Sequence, residues 1–236
     1  YAGGTLVVMT RWDRKVAATL IERLKINTWR NISTMVVDML SDPDIDSYDI
    51  SSLTGIGGGG AAMPAAVAAK LKDKTGLTYM EGYGLSETIA ATHVNPPQAC
   101  KAQCLGIPFI GVDSRVIDVE TLKEVEPGVT GEIIMRGEQI FQGYWNKPEA
   151  TDEAFVEVDG ERFFRSGDLG YYDEEGYFFL VDRVKRMINA SGFKVWPAEV
   201  ESLMYAHPAI QEVCIISAPH ERRGETVKPV VVLAKG

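Results

Sequence analysis

Residues 53–84 read LTGIGGGGAAMPAAVAAKLKDKTGLTYMEGYG, and their order decides the fold. Leu53 to Gly57 predicts a short strand that runs into the glycine cluster Gly57–Gly60. Pro64 suits the first turn of a helix, which extends through Leu71. Leu77 to Tyr79 predicts the next strand, with Glu81-Gly82-Tyr83-Gly84 as the loop at its end. Strand, helix and strand in alternation predict a parallel sheet with helices on its faces.

Working outward, Gly4 to Met9 reads as a further strand. Asp13 is placed to cap a helix reaching Leu24, because Val16, Ala17, Leu20, Ile21 and Leu24 recur at helical spacing. A second helix covers Ser33 to Leu40 and is stopped by Asp42-Pro43. After Pro96-Pro97 the pattern changes to short β segments at Ser114–Asp118, Gly131–Arg136, Gly170–Asp173 and Tyr177–Val181. The turn signals Pro127-Gly128, Asp159-Gly160 and Glu175-Gly176 separate them. A small, mostly antiparallel β unit follows from this. From Lys185 onward, Met187–Ala190 and Phe193–Trp196 flank Ser191-Gly192 as a hairpin. Pro197 opens a helix with Val200, Leu203 and Met204 on one face, and strands follow at Ile210–Ser217 and Val227–Leu233. The expected organisation is mixed α/β: a strand–helix layer over 1–97, a small antiparallel, barrel-like β subdomain over 98–184, and part of a small α+β domain from 185 to 236.

The side chains with chemistry sit at the punctuation of this pattern. The glycines Gly59 and Gly60, followed by Ala61, let backbone approach a ligand closely, and a tight strand-to-helix turn would need them equally. Tyr83 offers a flat aromatic face, Ser86 a hydroxyl and Glu87 a hard oxygen; Ser86 or Thr88 as a helix cap is the plainer reading. Tyr144 and Trp145 read as core aromatics. In Arg165-Ser-Gly-Asp168 the aspartate is an acceptor that takes two hydroxyl protons at once, or else closes its own turn. Arg183 carries a fixed fork of donors, and Lys185 lies two residues on.

Taken in order, Tyr83-Gly-Leu-Ser86-Glu87, Gly131-Glu-Ile-Ile, Arg165-Ser-Gly-Asp168 and Asp182-Arg183-Val-Lys185 resemble the later part of the adenylate-forming (AMP-binding) ligases, and within them the acyl-CoA synthetases. The resemblance spans essentially the whole chain. It implies an AMP-forming acid–thiol ligase that joins a carboxylate to AMP and passes the acyl group to coenzyme A, with a medium- or long-chain fatty acid as substrate. It implies that Gly59, Gly60, Ala61, Gly82, Tyr83, Ser86, Asp168 and Arg183 bind nucleotide, and that Ser86 and Glu87 are catalytic. Glu87 would be the ligand of Mg²⁺, Lys185 the hinge and Gly192 part of the coenzyme A tunnel. Walls of an acyl pocket would come from Trp29–Met39 and Ile89–Val94. Asp182 departs from the glycine common at its position. The family's phosphate loop and catalytic lysine do not occur in this sequence, so the chain is expected to be a slice with little or no activity alone. An amino-acid-activating module, a luciferase-like oxygenase and a non-catalytic nucleotide-binding remnant are the rival readings.

Composition narrows the classes. Of 236 residues 45% are apolar, enough for a sizeable core. The 24 basic and 33 acidic residues give a net charge of −9, with no basic stripe for nucleic acid. Cys100, Cys104 and Cys214 are too few and too odd for a disulfide framework, which fits a cytoplasmic protein. No apolar run reaches the roughly 18 residues of a membrane span; a peripheral membrane contact stays open.

Overall fold

The computed structural model describes residues 3–60, 63–222 and 224–234. Its strands form three sheets. The first contains β1 (Thr28–Asn31), β2 (Gly55–Gly58), β3 (Tyr79–Tyr83), β4 (His93–Val94) and β5 (Ile107–Pro108), side by side in that order. The β1–β2 and β2–β3 pairs are parallel, and β4 and β5 add antiparallel neighbours.

Three helices build the core of this layer: α1 (Arg14–Leu24), α2 (Ser33–Leu40) and α3 (Ala65–Thr75). The Asp13 carboxylate accepts from the Lys15 and Val16 amides, which satisfies two first-turn donors of α1. Ala17 and Ile21 of α1, Val36 and Met39 of α2, and Val67 and Leu71 of α3 share one cluster with Ile56 and Tyr79. Ile56 and Tyr79 are register partners, so their side chains stand on the same sheet face. All three helices therefore pack on one face, rather than on both as the alternation suggested. Val36 and Met39 are buried in this core.

The glycine cluster has an internal reason. A Cβ at Gly58 would overlap the carbonyl oxygen of Asn31, and one at Gly57 would overlap that of Met80. The central strand lies too close to its neighbours for any side chain at those positions. Gly58→Ala is expected to cost about 1–3 kcal/mol through overpacking, read as a lower urea midpoint; an unchanged midpoint would contradict the close approach.

The strand expected over Gly4–Met9 does not form. β1 is the edge of its sheet and does not pair with this segment, and a strand without a ladder leaves its backbone groups to water. Leu6 is 85% exposed, and Met9 packs against the core.

The second sheet is antiparallel throughout: β6 (Asp113–Ile117), β7 (Gly131–Arg136), β8 (Phe155–Val158), β9 (Glu161–Tyr172) and β10 (Phe178–Arg183), with the short helix α4 (Pro148–Glu153) before β8. Its order is β10-β9-β7-β6, with β8 on β9, and it curls into a half-barrel. The third sheet, β12-β11-β14-β13, comprises β11 (Ile188–Ala190), β12 (Phe193–Val195), β13 (Ile210–His220) and β14 (Gly224–Leu233), covered by α5 (Pro197–Tyr205). Ser191 (φ 59°) and Gly192 (φ 87°) make the predicted two-residue turn between β11 and β12. Val200 and Met204 pack on Ile188, Val213 and Ile215, but Leu203 is 72% exposed, because so short a helix buries only a narrow stripe. No described helix is long and apolar enough to cross a membrane.

Candidate active site

Asp168 is aimed by a bulge. Along β9, Arg165 pairs with Ile134 and Leu169 with Glu132, so residues 166–168 face the single residue Ile133. Extra residues on one strand bend it and redirect its side chains. Gly167 takes φ +70° there. Glu132, 2% exposed, accepts from the Gly167 amide (3.1 Å) and from Arg165 Nε (3.0 Å). Ser166 Oγ donates to the Ile133 carbonyl (2.5 Å) and accepts from the Asp168 amide (3.0 Å). Asp168 thus sits inside a long strand rather than closing a turn, held on both sides.

Three strands of two sheets meet at its carboxylate. Tyr83 Oη, from the end of β3, donates to Asp168 Oδ2 at 2.7 Å. Arg183 is the register partner of Asp168 on β10, and its Nε lies 2.8 Å from Oδ1. That ion pair is close but poorly aligned, and Oδ1 is a buried acceptor without a hydrogen bond. The Arg183 side chain is 61% exposed while that of Asp168 is 3% exposed. Burial raises the Asp168 pKa, opposed by the Tyr83 hydrogen bond and the Arg183 charge. Burial, and then the Asp168 charge, hold the Tyr83 hydroxyl well above its ordinary value.

Tyr83 is not at a loop tip. Tyr79, Glu81 and Tyr83 form the buried face of β3 by simple alternation. The Tyr83 ring packs tilted against His93 (5.5 Å), which meets Phe178 (4.7 Å). Its hydroxyl, rather than an exposed ring face, is directed at Asp168. Two titratable groups that the motifs do not mark are buried here. Desolvation takes Glu81 up to about 7 and His93 down to about 3. Only the alternation along β3 signals Glu81, and nothing local signals His93.

The Ser86–Thr88 turn resolves the choice of cap. Thr88, fully buried, accepts from the Leu85 amide, and its hydroxyl lies 2.8 Å from the Ala90 carbonyl. Ser86 is exposed. The Phe141 amide donates to the Glu87 carbonyl (2.7 Å), and Tyr144 Oη donates to Glu87 Oε1 (2.9 Å). Tyr144 and Trp145 are therefore not core aromatics: Tyr144 is 38% exposed and holds Glu87, and Trp145 is 89% exposed. Ile89, with φ 60°, is 79% exposed beside this turn.

Of the glycines, a Cβ at Gly59 would press on the Gly82 carbonyl (2.5 Å), so this pair is a backbone contact between β3 and the end of β2. Gly60, at φ +90°, is exposed. Ala61 lies outside the described residues. Lys185 is exposed in the turn Val184–Arg186 between β10 and β11. Gly192 is exposed at its hairpin tip. Arg186 pairs with Glu201 (2.7 Å), and Lys194 Nζ approaches Glu120 at 3.9 Å. Among the described residues no three His, Cys, Asp or Glu side chains cluster as a metal site. Glu87 alone suits a cation that takes most of its ligands from a substrate's phosphates and from water, as Mg²⁺ does.

This geometry has counterparts. Residues 1–145 match the model of the AMP-binding enzyme family, and residues 199–236 match that of the AMP-binding enzyme C-terminal domain. The chain belongs to the AMP-binding, adenylate-forming enzyme family. It is 39% identical to a long-chain-fatty-acid–CoA ligase of Bacillus subtilis (strain 168), over 99% of this chain and 41% of that protein. It is 35% identical to a feruloyl-CoA synthase of Amycolatopsis sp, over 99% of this chain and 47% of that protein. The crystal structure of ATP-bound MatB from Rhodopseudomonas palustris superposes with a TM-score of 0.86 at 32% identity, covering 97% of this chain and 44% of that one. The chain spans less than half the length of these relatives.

Proposed function

We propose that the chain is the central portion of an ATP-dependent acyl-CoA ligase for medium- or long-chain fatty acids, resident in the cytoplasm. The observation that carries the nucleotide assignment is Asp168 Oδ1, a buried acceptor lacking an aligned donor, beside the exposed Arg183 side chain. A ribose hydroxyl supplies that donor, and Arg183 turns aside to flank the sugar. Tyr83 holds the other carboxylate oxygen, fixing the orientation. Gly59, Gly60 and Gly82 give the adenine a side-chain-free wall, and the exposed Ser86 hydroxyl donates to the α-phosphate. Glu87 would hold Mg²⁺, which would supply positive charge against the phosphates of the nucleotide.

Two steps follow. A carboxylate oxygen of the fatty acid, ionised at neutral pH, attacks the α-phosphorus, and the bond to the β-phosphate oxygen breaks. The products are acyl-AMP and pyrophosphate. The sulfur of coenzyme A then attacks the acyl carbon, AMP leaves with the acyl C–O electrons, and the thiol proton is released. Lys185, in the exposed linker, is the hinge between the two arrangements, and Gly192 at its hairpin tip borders the thiol's path. Positioning and electrostatics supply the acceleration. The fatty-acid assignment rests on the 39% identity to the Bacillus ligase.

The test is carboxylate-dependent exchange of pyrophosphate into ATP across acetate, octanoate, palmitate, ferulate and amino acids. The 236-residue chain and a longer protein that contains it are both assayed. The chain alone is expected to be silent, and the longer protein to favour octanoate or palmitate. A preference for ferulate would replace the substrate class, and a preference for an amino acid would replace the ligase by an adenylation module. Silence of the longer protein with every acid would leave a nucleotide-binding remnant.

A further inference from the structure

Asp182 stands at the end of the nucleotide-side sheet, and its carboxylate is 3% exposed. Such a group needs partners, and it has them on both sides of the linker that carries Lys185. Oδ1 accepts from the Arg183 amide at 2.7 Å. Oδ2 accepts from the Ala198 amide at 2.8 Å, sixteen residues on, in the first turn of α5. First-turn amides have no partner within their own helix. The residue preceding α5, Trp196, gives it no side-chain cap, so the carboxylate of a different sheet performs that role, with the sign the helix dipole favours. Arg186, inside the linker, lies 3.6 Å from Asp182 Oδ1 and bonds Glu201 of α5 at 2.7 Å. Glu201 in turn accepts from the Ile215 amide of β13. The exposed Lys194–Glu120 approach at 3.9 Å is a weak addition beside these.

We propose that Asp182 is a positioning residue that latches helix α5 to strand β10 across the Lys185 linker, so that the main chain of Arg183 and the docking of α5 are held by one carboxylate. Glycine or alanine at this position offers neither oxygen. With the latch formed, α5 and the sheet beneath it keep one orientation relative to Asp168 and Arg183. With it broken, the linker turn Val184–Arg186 and the Arg186–Glu201 pair alone restrain them. The link between the latch and nucleotide rests on the proposed function; the latch itself does not.

Hydrogen exchange read by mass spectrometry tests both parts on the 236-residue chain, in wild type, Asp182→Ala and Asp182→Asn. In D182A, peptides covering 197–205 are expected to exchange roughly five- to tenfold faster, the order of a lost helix cap. Peptides covering 161–172 should keep their rates. Asparagine retains one acceptor and is itself a good capping residue, so D182N recovers part of the protection and carries the test if D182A does not fold. Adding ATP is expected to slow exchange at 178–186 in every protein and at 197–205 only where the latch is present. Unchanged exchange of 197–205 in D182A and D182N overturns the latch. So does equal acceleration in all three sheets, which would mark Asp182 as a general stabiliser. An ATP effect absent everywhere, with 197–205 still accelerated in D182A, refutes the nucleotide reading while the latch stands.

Discussion

Replacing Asp168 by alanine is expected to weaken ATP and AMP binding by roughly 10–10²-fold, from one lost ribose hydrogen bond to a charged group at about 1.5–3 kcal/mol. The expectation follows from the state of the two oxygens. Oδ2 is already engaged by Tyr83, and Oδ1 has charge nearby but no aligned donor. A ribose hydroxyl improves the second without disturbing the first. The bulge that aims Asp168 is held by Glu132 and Ser166, which the substitution does not touch. Alanine leaves the buried Tyr83 hydroxyl unpaired, so some stability is lost too. Asp168→Asn separates the effects, because its amide oxygen still accepts from Tyr83 while the charge facing Arg183 is gone. The measurement is displacement of a fluorescent AMP analogue, in a protein that binds it, with ATP and 2′-deoxy-ATP as competitors. Wild type should prefer ATP, and D168A should show little preference. Binding within threefold of wild type in D168N, with the ribose preference intact, would sink the assignment.

The local parts of this molecule were legible and the tertiary contacts were not. Asp13 caps α1, α2 runs from Ser33 to Leu40, and Ser191-Gly192 turns a hairpin, because each depends on a few adjacent residues with fixed preferences. The order of the motifs was enough to bring Tyr83, Asp168 and Arg183 to one family of site, and the structure joins them. What failed depends on partners far along the chain. Tyr144 reads as a core aromatic until Glu87, 57 residues away, is found at its hydroxyl. Gly4–Met9 has the composition of a strand, but no described strand pairs with it. The glycine cluster invites a ligand, yet Gly57 and Gly58 are required by the carbonyls of Met80 and Asn31. The loop predicted at Glu81–Gly84 is strand as far as Tyr83, because alternation continues past the point where glycine suggests a turn.

Glu81 and His93 are expected to give the protein a stability plateau in mildly acidic solution, and single substitutions should tilt it in opposite directions. Both side chains are buried on neighbouring strands, β3 and β4, and both favour their neutral forms. His93 Nδ1 is 3.0 Å from Thr92 Oγ1, and Nε2 is a buried atom without a partner. Burial lowers the His93 pKa from 6.5 to about 3. Between those values the unfolded chain takes a proton that the folded chain refuses, so stability falls as pH drops. Glu81 goes the other way, raised by burial from 4.5 to about 7 although the Met63 amide favours its charged form. Between those values the folded chain keeps a proton that the unfolded chain releases, so this contribution falls as pH rises. From pH 4.5 to 6.5 the two slopes oppose and nearly cancel. Glu81→Gln removes the falling slope, and its stability should climb steadily to pH 6.5 by an amount on the order of 3 kcal/mol. His93→Phe, which can fill the space between the rings of Tyr83 and Phe178, should instead lose stability of similar size between pH 4.5 and 7. The double variant should be flat with respect to both groups. Urea midpoints taken from pH 3.5 to 8 decide the matter. Parallel profiles for wild type and E81Q would mean that Glu81 is solvated in the native protein and carries no proton at neutral pH. A flat profile in H93F, with wild type and E81Q climbing alike, would leave the histidine as the only one of the two groups that matters.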